Sequence, residues 1–369
     1  MREDILHFVK EFPHSITNNS LKDKILIHLK DKISDEELTH LLNEHNFIRS
    51  KESFISSYEE QLLLRPNIVD HIEYLKQIKQ PEQRTKEWYD FRFNHITASN
   101  AWKAYSTKEK VKNQLIYEKC TPKEHYISGL TETPMSWGNK YEPLTIRFYE
   151  MKNNTNISEF GCIEHKSHSF LAASPDGIVT GPNNFGRMIE VKNVVSRVIT
   201  GIPKEDYYIQ MQLQMEVCDL NECDFVETKF IEYDSYNDYI EDGSGCFTQD
   251  EKYKGIIKVY IKNNKQYVYD YMDIHCTNIE DWLDNENTEY KNTDYEWFKN
   301  IYWKLEVYSC VYVPRCKFWF DHTFQEIKTL WDTILEEREN GEYNKREPTK
   351  RAKKEIINSN NCQIQMNLI

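Results

Sequence analysis

The chain has 369 residues, of which 39% are hydrophobic and 13% aromatic, so it can bury a globular core and is not a disordered protein. No run of eighteen apolar residues occurs and the first residues are charged, so we expect a soluble, intracellular protein with no membrane contact. The net charge of −13 argues against a general nucleic-acid coat protein. This charge is local, because residues 219–296 contain 20 acidic and 7 basic residues.

The nine cysteines are scattered along the chain. Neither Cys218 with Cys223 nor Cys310 with Cys316 has the tight spacing, followed by a second pair, that zinc ligands show. We therefore predict reduced thiols.

The first 80 residues are predicted to form a helical N-terminal appendage. Short helices are indicated at residues 21–32 and 35–43, and no chemical motif accompanies them. Residues 79–83 are the predicted boundary to a domain that spans residues 81–341.

The composition changes at residue 84, after which aromatic residues surround Arg92 and Ser99. The small residues at 96–99 favour a turn that leads into a helix, and such a helix start offers free backbone amides. Together with Arg92, these amides suit a bound phosphate. The alternative is that Arg92 pairs with a neighbouring carboxylate and that Ser99 only caps the helix.

A helix is predicted at residues 135–151, where apolar residues recur at helical spacing. Pro143 fits only near a helix start or a kink, so Glu142 is predicted to lie in the first turns. A glutamate in a first turn is commonly a partner of the helix dipole. The alternative is an inward-facing carboxylate, which the neighbouring Trp137 and Tyr141 favour.

Residues 171–193 have the pattern of short strands around a turn-rich segment. The strands are predicted at residues 170–173, 177–180 and 188–191. Folding this hairpin brings Asp176 close to Glu190. Side chains two positions apart in a strand share a face, so Glu190 and Lys192 point the same way while Ile189 and Val191 point into the core.

Residues 204–218 predict a helix with Gln210 and Gln214 on one face. Two amides are costly to bury without partners, so they indicate a polar cavity or a contact between helix and strand, with a solvent-facing stripe as the alternative. The rest of the chain is predicted to contain strands at 224–233, 253–261 and 301–313, an acidic loop at 234–250, a partly helical segment at 280–297 and a helix at 322–340 that stops at Gly341.

The last residues, 342–369, are predicted to form a basic, flexible tail. Six of the ten residues at 345–354 are Lys or Arg, which suits a mobile segment that makes electrostatic contacts. A tail that is merely solvated is the alternative.

Three carboxylates from separate elements, Glu142, Asp176 and Glu190, make a set that hard divalent cations require. Such ions bind substrate phosphates, so a phosphodiester is the expected substrate, and Lys192 would position or help deprotonate the attacking water. The alternative is a surface hairpin in which Asp176 caps a turn while Glu190 and Lys192 merely pair.

Residues 174–177, SPDG, followed by residues 189–192, IEVK, resemble the signature of PD-(D/E)xK nucleases. Further motifs lie around Arg92, at residues 137–142 and at residues 208–212. With these, the chain resembles the YqaJ-type viral recombinases of the lambda-exonuclease-like branch. The resemblance implies an α/β fold with a restriction-endonuclease-like core, in which helices flank a mixed central sheet.

The resemblance also implies roles for single residues. Asp176 and Glu190 would hold Mg²⁺ or Mn²⁺, as two ions, with the carbonyl of Val191, and Glu142 would help at the second ion. Lys192 would act on the attacking water.

Four further residues have implied roles. Gln210 would complete the site, and Arg92, Ser99 and Ser174 would grip a terminal 5′-phosphate. The implied function is a metal-dependent exonuclease that digests linear double-stranded DNA in the 5′-to-3′ direction for recombination or repair. The alternatives are a structure-selective endonuclease with the same metal site and a nuclease-derived DNA-binding scaffold without activity.

The partners implied are double-stranded DNA ends, a single-strand annealing or binding protein and further copies of the chain. The relatives indicate a large DNA virus as the source, which would place the protein in the host cytoplasm, the virion or the nucleus.

Overall fold

The computed structural model describes residues 49–50, 65–83, 85–122, 134–262, 267–285 and 294–348. The helices predicted at 21–32 and 35–43 lie outside the described residues, as does the tail from residue 349.

Helices account for most of the first half of the described chain. They are α1 (Ile68–Gln77), α2 (Lys86–Phe93), α3 (Ala98–Ala101), α4 (Glu109–Cys120), α5 (Pro134–Asn153), α6 (Glu205–Val217), α7 (Tyr236–Glu241), α8 (Ile279–Asp284) and α9 (Lys317–Asn340), and a 3₁₀ helix, Glu342–Arg346, follows α9. As predicted, α9 stops at Gly341, whose φ of 76° is the left-handed conformation that glycine adopts without strain.

The strands form two sheets among the described residues. They are β1 (Arg49–Ser50), β2 (Ile96–Thr97), β3 (Ile157–Ser158), β4 (Ile163–Glu164), β5 (Leu171–Ala173), β6 (Gly177–Val179), β7 (Met188–Asn193), β8 (Glu222–Glu232), β9 (Lys254–Lys262), β10 (Tyr267–Tyr271) and β11 (Tyr295–Pro314). The larger sheet has the order β10-β9-β11-β8-β7-β6-β3, with β1 paired to β11, and β2-β5-β4 form the smaller one.

The larger sheet is mixed. Strands β6 and β7 are an antiparallel hairpin, whereas β7 runs parallel to β8, with Glu190 opposite Phe225, and α6 is the crossover between them. Beyond β8 the sheet continues with β11, β9 and β10, and each of these strands is antiparallel to its neighbour. The predicted α/β class, a mixed sheet flanked by helices, is confirmed.

Helix α5 corrects one prediction. It begins at Pro134, so Glu142 and Pro143 lie near its middle instead of in its first turns. Proline costs this helix one hydrogen bond, but burial of Tyr141, Leu144 and Phe148, all 0% exposed, outweighs that loss.

Three predictions of secondary structure are corrected by the structure, one for a loop, one for a strand and one for a helix. The predicted acidic loop contains α7, the predicted strand at 301–313 is part of the 20-residue β11, and the last helix begins at Lys317. The segment predicted to be partly helical contains α8.

The described part of the predicted N-terminal appendage packs into the main hydrophobic core. Ile68, Ile72 and Leu75 of α1 are buried in this core together with residues of α4, α6 and α9. The first residues of the predicted tail also pack, because the Arg346 Nε donates to Glu337 Oε2 over 2.8 Å. The domain boundaries at residues 80 and 341 stay predictions.

Two further expectations concern thiols and the membrane. Eight cysteines lie in the described ranges and all carry free thiols, as predicted, while Cys362 lies outside these ranges. None of the helices that the described ranges contain is long and apolar enough to cross a bilayer.

Candidate active site

The hairpin of β6 and β7 places Asp176 beside Glu190. Asp176 precedes β6, and its Oδ2 atom accepts a hydrogen bond of 2.7 Å from the backbone amide of Val191. Ile189 and Val191 are buried, as predicted. Glu190 is also 0% exposed, because α6 covers the other face of the strand.

The carboxylate of Glu190 accepts hydrogen bonds from three side chains. Lys192 Nζ and Gln210 Nε2 both donate to Oε1, the latter over 2.8 Å, and Gln214 Nε2 donates to Oε2 over 2.7 Å. The two amides therefore face a buried polar site, and the predicted polar contact is confirmed over the solvent-facing stripe. Gln214 was not predicted as a site residue, although its spacing of four from Gln210 already placed it on the same helix face.

The charges at this site shift two pKa values. Desolvation, and next the charge of Glu190, raise the pKa of Asp176 well above its usual value, and Glu142 adds to this effect. Burial lowers the pKa of Lys192, but the charges of Glu190 and Asp176 outweigh it, and the net shift is upward. Lys192 is therefore an ammonium group that donates hydrogen bonds.

Glu142 and Asp176 both line a cavity of about 520 Å³. Its other lining residues are Gln80, Pro81, Glu82, Gln83, Asn139, Pro143, Glu159, Phe160, Gly161 and Pro175. Residues 80–83, which form one wall, were predicted only as a boundary between domains. Gln80 attaches this wall to the site, because its Oε1 accepts from the Gly161 amide and its Nε2 donates to the Leu75 carbonyl.

The donor atoms at this site suit a hard divalent cation. Asp176 and Glu190 offer carboxylate oxygens, and their mutual repulsion, which raises the pKa of Asp176, would be relieved by a cation. Within the described ranges, no three His, Cys, Asp or Glu side chains are grouped closely enough to hold an ion as they stand. The Glu190 oxygens are instead engaged by Lys192 and the two amides.

A second group of polar side chains surrounds Arg92. Its Nη2 atom donates to Ser99 Oγ over 3.0 Å, and its guanidinium stacks on the ring of Trp88 with 4.4 Å to the centroid. Among the residues that the structure describes, no carboxylate forms an ion pair with Arg92, and burial lowers its pKa. Thr97 caps helix α3 with Asn100, so Ser99 is not the cap.

Ser174 contacts residues near both groups. Its Oγ atom is buried beside the thiol of Cys162, and burial raises the pKa of this thiol although the contact with Ser174 and the charge of Arg92 act in the opposite direction. The backbone carbonyl of Ser174 accepts a hydrogen bond of 3.2 Å from Gln214 Nε2. Ser174 thus contacts Gln214 of the Glu190 site directly, whereas its connection to Arg92 runs through Cys162.

Residues 87–221 match the family described as YqaJ-like viral recombinase domain. This segment is a YqaJ-like domain. The predicted resemblance to the YqaJ-type recombinases is thereby confirmed for residues 87–221, and this YqaJ-like domain contains every predicted site residue, from Arg92 to Gln210. Helix α9 and the wall formed by residues 80–83 lie outside it.

Among known proteins, the uncharacterized protein R354 of Acanthamoeba polyphaga mimivirus is 29% identical over 323 residues. The match covers 75% of this chain and 56% of that protein, so the chain spans about half the length of the relative. In structure the chain aligns with two crystal structures of LHK-Exo, an alkaline exonuclease from Laribacter hongkongensis, one of them in complex with dAMP. Both alignments have 18% identity and a TM-score of 0.41, and cover 71% of this chain and 98% of the other.

Proposed function

We propose that the protein is a metal-dependent nuclease that digests linear double-stranded DNA from its ends in the 5′-to-3′ direction. The observation that carries this proposal is the cluster of Asp176, Glu190 and Lys192 around one buried carboxylate, together with the Arg92 and Ser99 group of the same domain. The cluster around Glu190 suits hydrolysis of a phosphodiester, and the group around Arg92 suits recognition of a phosphate. The description of the family as viral recombinases supports a role in recombination or repair.

The proposed cofactor is Mg²⁺ or Mn²⁺, as two ions. Asp176, Glu190, the Val191 carbonyl and Glu142 would hold them. When bound, such ions lower the pKa of a water and neutralise charge on the scissile phosphate. Because its Nζ donates to Glu190 Oε1, we propose that Lys192 positions the attacking water or helps to deprotonate it.

The two glutamines have a supporting role in this proposal. Gln210 and Gln214 each hold one oxygen of Glu190, so the carboxylate keeps one orientation inside the fold. A buried carboxylate with satisfied hydrogen bonds needs no reorganisation when substrate binds.

For recognition of DNA ends, we propose that Arg92, Ser99 and Ser174 bind the terminal 5′-phosphate. A guanidinium can hold a phosphate through two parallel hydrogen bonds, and the Ser174 hydroxyl supplies a further donor. The phosphate would then define which bond reaches the Glu190 site. We also propose that a single-strand annealing or binding protein receives the product, that copies of the chain assemble on the DNA, and that the source is viral.

One assay tests the function. Purified protein with Mg²⁺ is given linear or closed-circular duplex DNA, with each end labelled in turn. We expect digestion of linear DNA from its 5′ ends only. Cleavage of closed circles would support a structure-selective endonuclease instead, and no cleavage of any DNA would support a scaffold without activity.

Two substitutions test the site. Asp176→Asn and Glu190→Gln should each abolish cleavage and leave DNA binding largely intact, since each removes a metal ligand and little contact with DNA. Asp332→Asn is the control, because this carboxylate is exposed on α9 and pairs only with Lys328. Rates near those of the wild type in either site variant would refute the assignment.

A further inference from the structure

The C-terminal end of helix α2, which carries Arg92, is held by two cations from distant helices. Lys119, in the last turn of α4, donates from Nζ to the backbone carbonyl of Arg92. Arg338 of α9 donates from Nη2 to the carbonyl of Phe93 over 2.9 Å. These carbonyls are two of those that a helix leaves unpaired at its end, where positive charge is favourable.

Arg338 also joins the ends of α2 and α4. Its Nε and Nη2 atoms donate to the Lys119 carbonyl over 2.9 and 2.7 Å, and its guanidinium stacks on the Phe93 ring with 4.6 Å to the centroid. A continuous path of hydrogen bonds therefore runs from α9 through Lys119 to the residue that carries the phosphate-binding group. We call Lys119 and Arg338 the clamp.

Helix α2 is short, and its apolar side chains are only half-buried. All eight of its residues are described, and none of its side chains is fully buried, although Phe91 stacks on His95 with 4.0 Å between ring centroids. A helix of this length is marginal by itself and usually gains its stability from a buried apolar face. The polar contacts at its C-terminal end thus add to the attachment that these half-buried side chains supply.

The clamp is costly in electrostatic terms. Lys119 is only 5% exposed and lies close to the charges of Arg92 and Arg338. No carboxylate of the described ranges forms an ion pair with Lys119 or Arg338. A buried lysine between two arginines lowers stability, because its charge is desolvated and repelled. Stability alone therefore does not explain the arrangement.

We propose that Lys119 and Arg338 are positioning residues that hold α2 so that Arg92 presents its guanidinium to the terminal 5′-phosphate. This inference rests on the proposed function. Two parallel hydrogen bonds require a defined orientation of the guanidinium, so a small rotation of α2 removes one of them. Arg338 lies outside the YqaJ-like domain, so the C-terminal helix contributes to the specificity of the site.

The test compares digestion of linear duplexes that carry either a 5′-phosphate or a 5′-hydroxyl. For the wild type we expect the 5′-phosphate end to be digested at least about ten times faster than the 5′-hydroxyl end. The reason is that an uncharged hydroxyl cannot form the ionic hydrogen bond that a phosphate forms with the Arg92 guanidinium. Lys119→Met and Arg338→Met should each reduce this ratio to roughly three or less by raising KM for the phosphorylated end. The rate on the hydroxyl end should stay within about twofold. Lys328→Met, which removes a surface lysine of α9, is the matched control.

A double variant separates positioning from a general loss of structure. If the clamp acts through Arg92, then Arg92→Ala combined with Lys119→Met has the same ratio as Arg92→Ala alone. Should Lys119→Met fail to fold, Arg338→Lys takes its place, because it keeps the charge and loses the forked geometry. Wild-type preference in folded clamp variants would overturn the inference and leave the proposed function intact. A wild-type enzyme that digests both ends equally would overturn the phosphate site and the clamp together, and an inactive wild type would overturn the function.

Discussion

Gln214 Nε2 donates a hydrogen bond of 2.7 Å to Glu190 Oε2, at a carboxylate that has no exposure to solvent. The same amide reaches the carbonyl of Ser174. Gln214 therefore contacts both Glu190, at the centre of the candidate metal site, and Ser174, which we propose to bind the 5′-phosphate together with Arg92.

Gln214→Leu should reduce cleavage by at least about tenfold and lower the free energy of unfolding by roughly 1.5 to 3 kcal/mol, because a buried carboxylate loses one of its donors. Steady-state cleavage and urea unfolding measure the two effects. Gln212→Leu is the control, since this amide lies on the same helix but bonds to Pro314 and Cys316. The control should lose stability and keep its rate per folded molecule. Equal losses of rate in both variants would contradict a specific role for Gln214.

Lys192→Ala should slow cleavage by roughly 10²-fold or more, since the ammonium that positions the water is removed. Single-turnover rates over a range of Mg²⁺ concentrations measure this effect. Lys192 also balances the charges of Asp176 and Glu190, so the variant should bind the cation at least as tightly. Full recovery of the rate at high Mg²⁺ would mean that Lys192 acts on ion binding and not on the water.

Gly161→Ala should displace the wall of the cavity. A Cβ atom at Gly161 would approach Gln80 Cβ to 2.8 Å and the Pro81 carbonyl oxygen to 3.1 Å, so the wall must move. We expect a loss of about 1 to 3 kcal/mol in unfolding free energy, typical of overpacking, together with a changed KM for DNA. Thermal unfolding and steady-state kinetics measure these changes.

The control for this prediction is Gly138→Ala in α5, where an added Cβ meets nothing within 4 Å. It should be neutral or stabilise the protein by about 0.5 to 1 kcal/mol, as expected for glycine in a helix. A Gly161→Ala protein as stable as the wild type would show that residues 80–83 move without a loss of unfolding free energy.

Deletion of residues 349–369 should weaken DNA binding and flatten its dependence on salt. This segment contains four Lys or Arg residues, and the slope of log affinity against log salt should fall by up to about 0.9 for each phosphate that the protein no longer neutralises. The deletion leaves Arg346 in place, because its contact with Glu337 holds the 3₁₀ helix. Titrations at several salt concentrations test this. An unchanged slope would indicate that the tail binds a partner or serves targeting.

The stability of the protein should depend on pH through Lys119. Burial, and next the charges of Arg92 and Arg338, lower the pKa of Lys119 to about 7 from the 10.5 of a free side chain. The unfolded chain therefore binds more protons between these values, and the free energy of unfolding should rise with pH by up to about 1.4 kcal/mol per unit. Other groups also titrate, so the comparison is with Lys119→Met.

The difference in unfolding free energy, Lys119→Met minus wild type, should be largest near pH 7 and should shrink towards pH 9, as measured by urea unfolding. A difference that does not change with pH would contradict the low pKa of Lys119.

The sequence by itself determined the features that depend on local spacing. The alternation at residues 188–193 placed Glu190 and Lys192 on one strand face, and the spacing of four placed Gln210 and Gln214 on one helix face. The order of the motifs also identified the family. These patterns are readable because strand and helix periods are set by the backbone and do not depend on the rest of the fold.

Only the tertiary structure decided which distant residues complete each site. Pro143 put Glu142 in a first turn, which was wrong, because α5 runs through Pro143 while Tyr141, Leu144 and Phe148 are buried on both sides of it. The contact of Arg338 with Phe93 joins residues 245 positions apart, and the wall at Gln80 meets a glycine 81 positions away. Such contacts leave no periodic signal, because packing of separate elements brings the residues together and neither segment encodes the other.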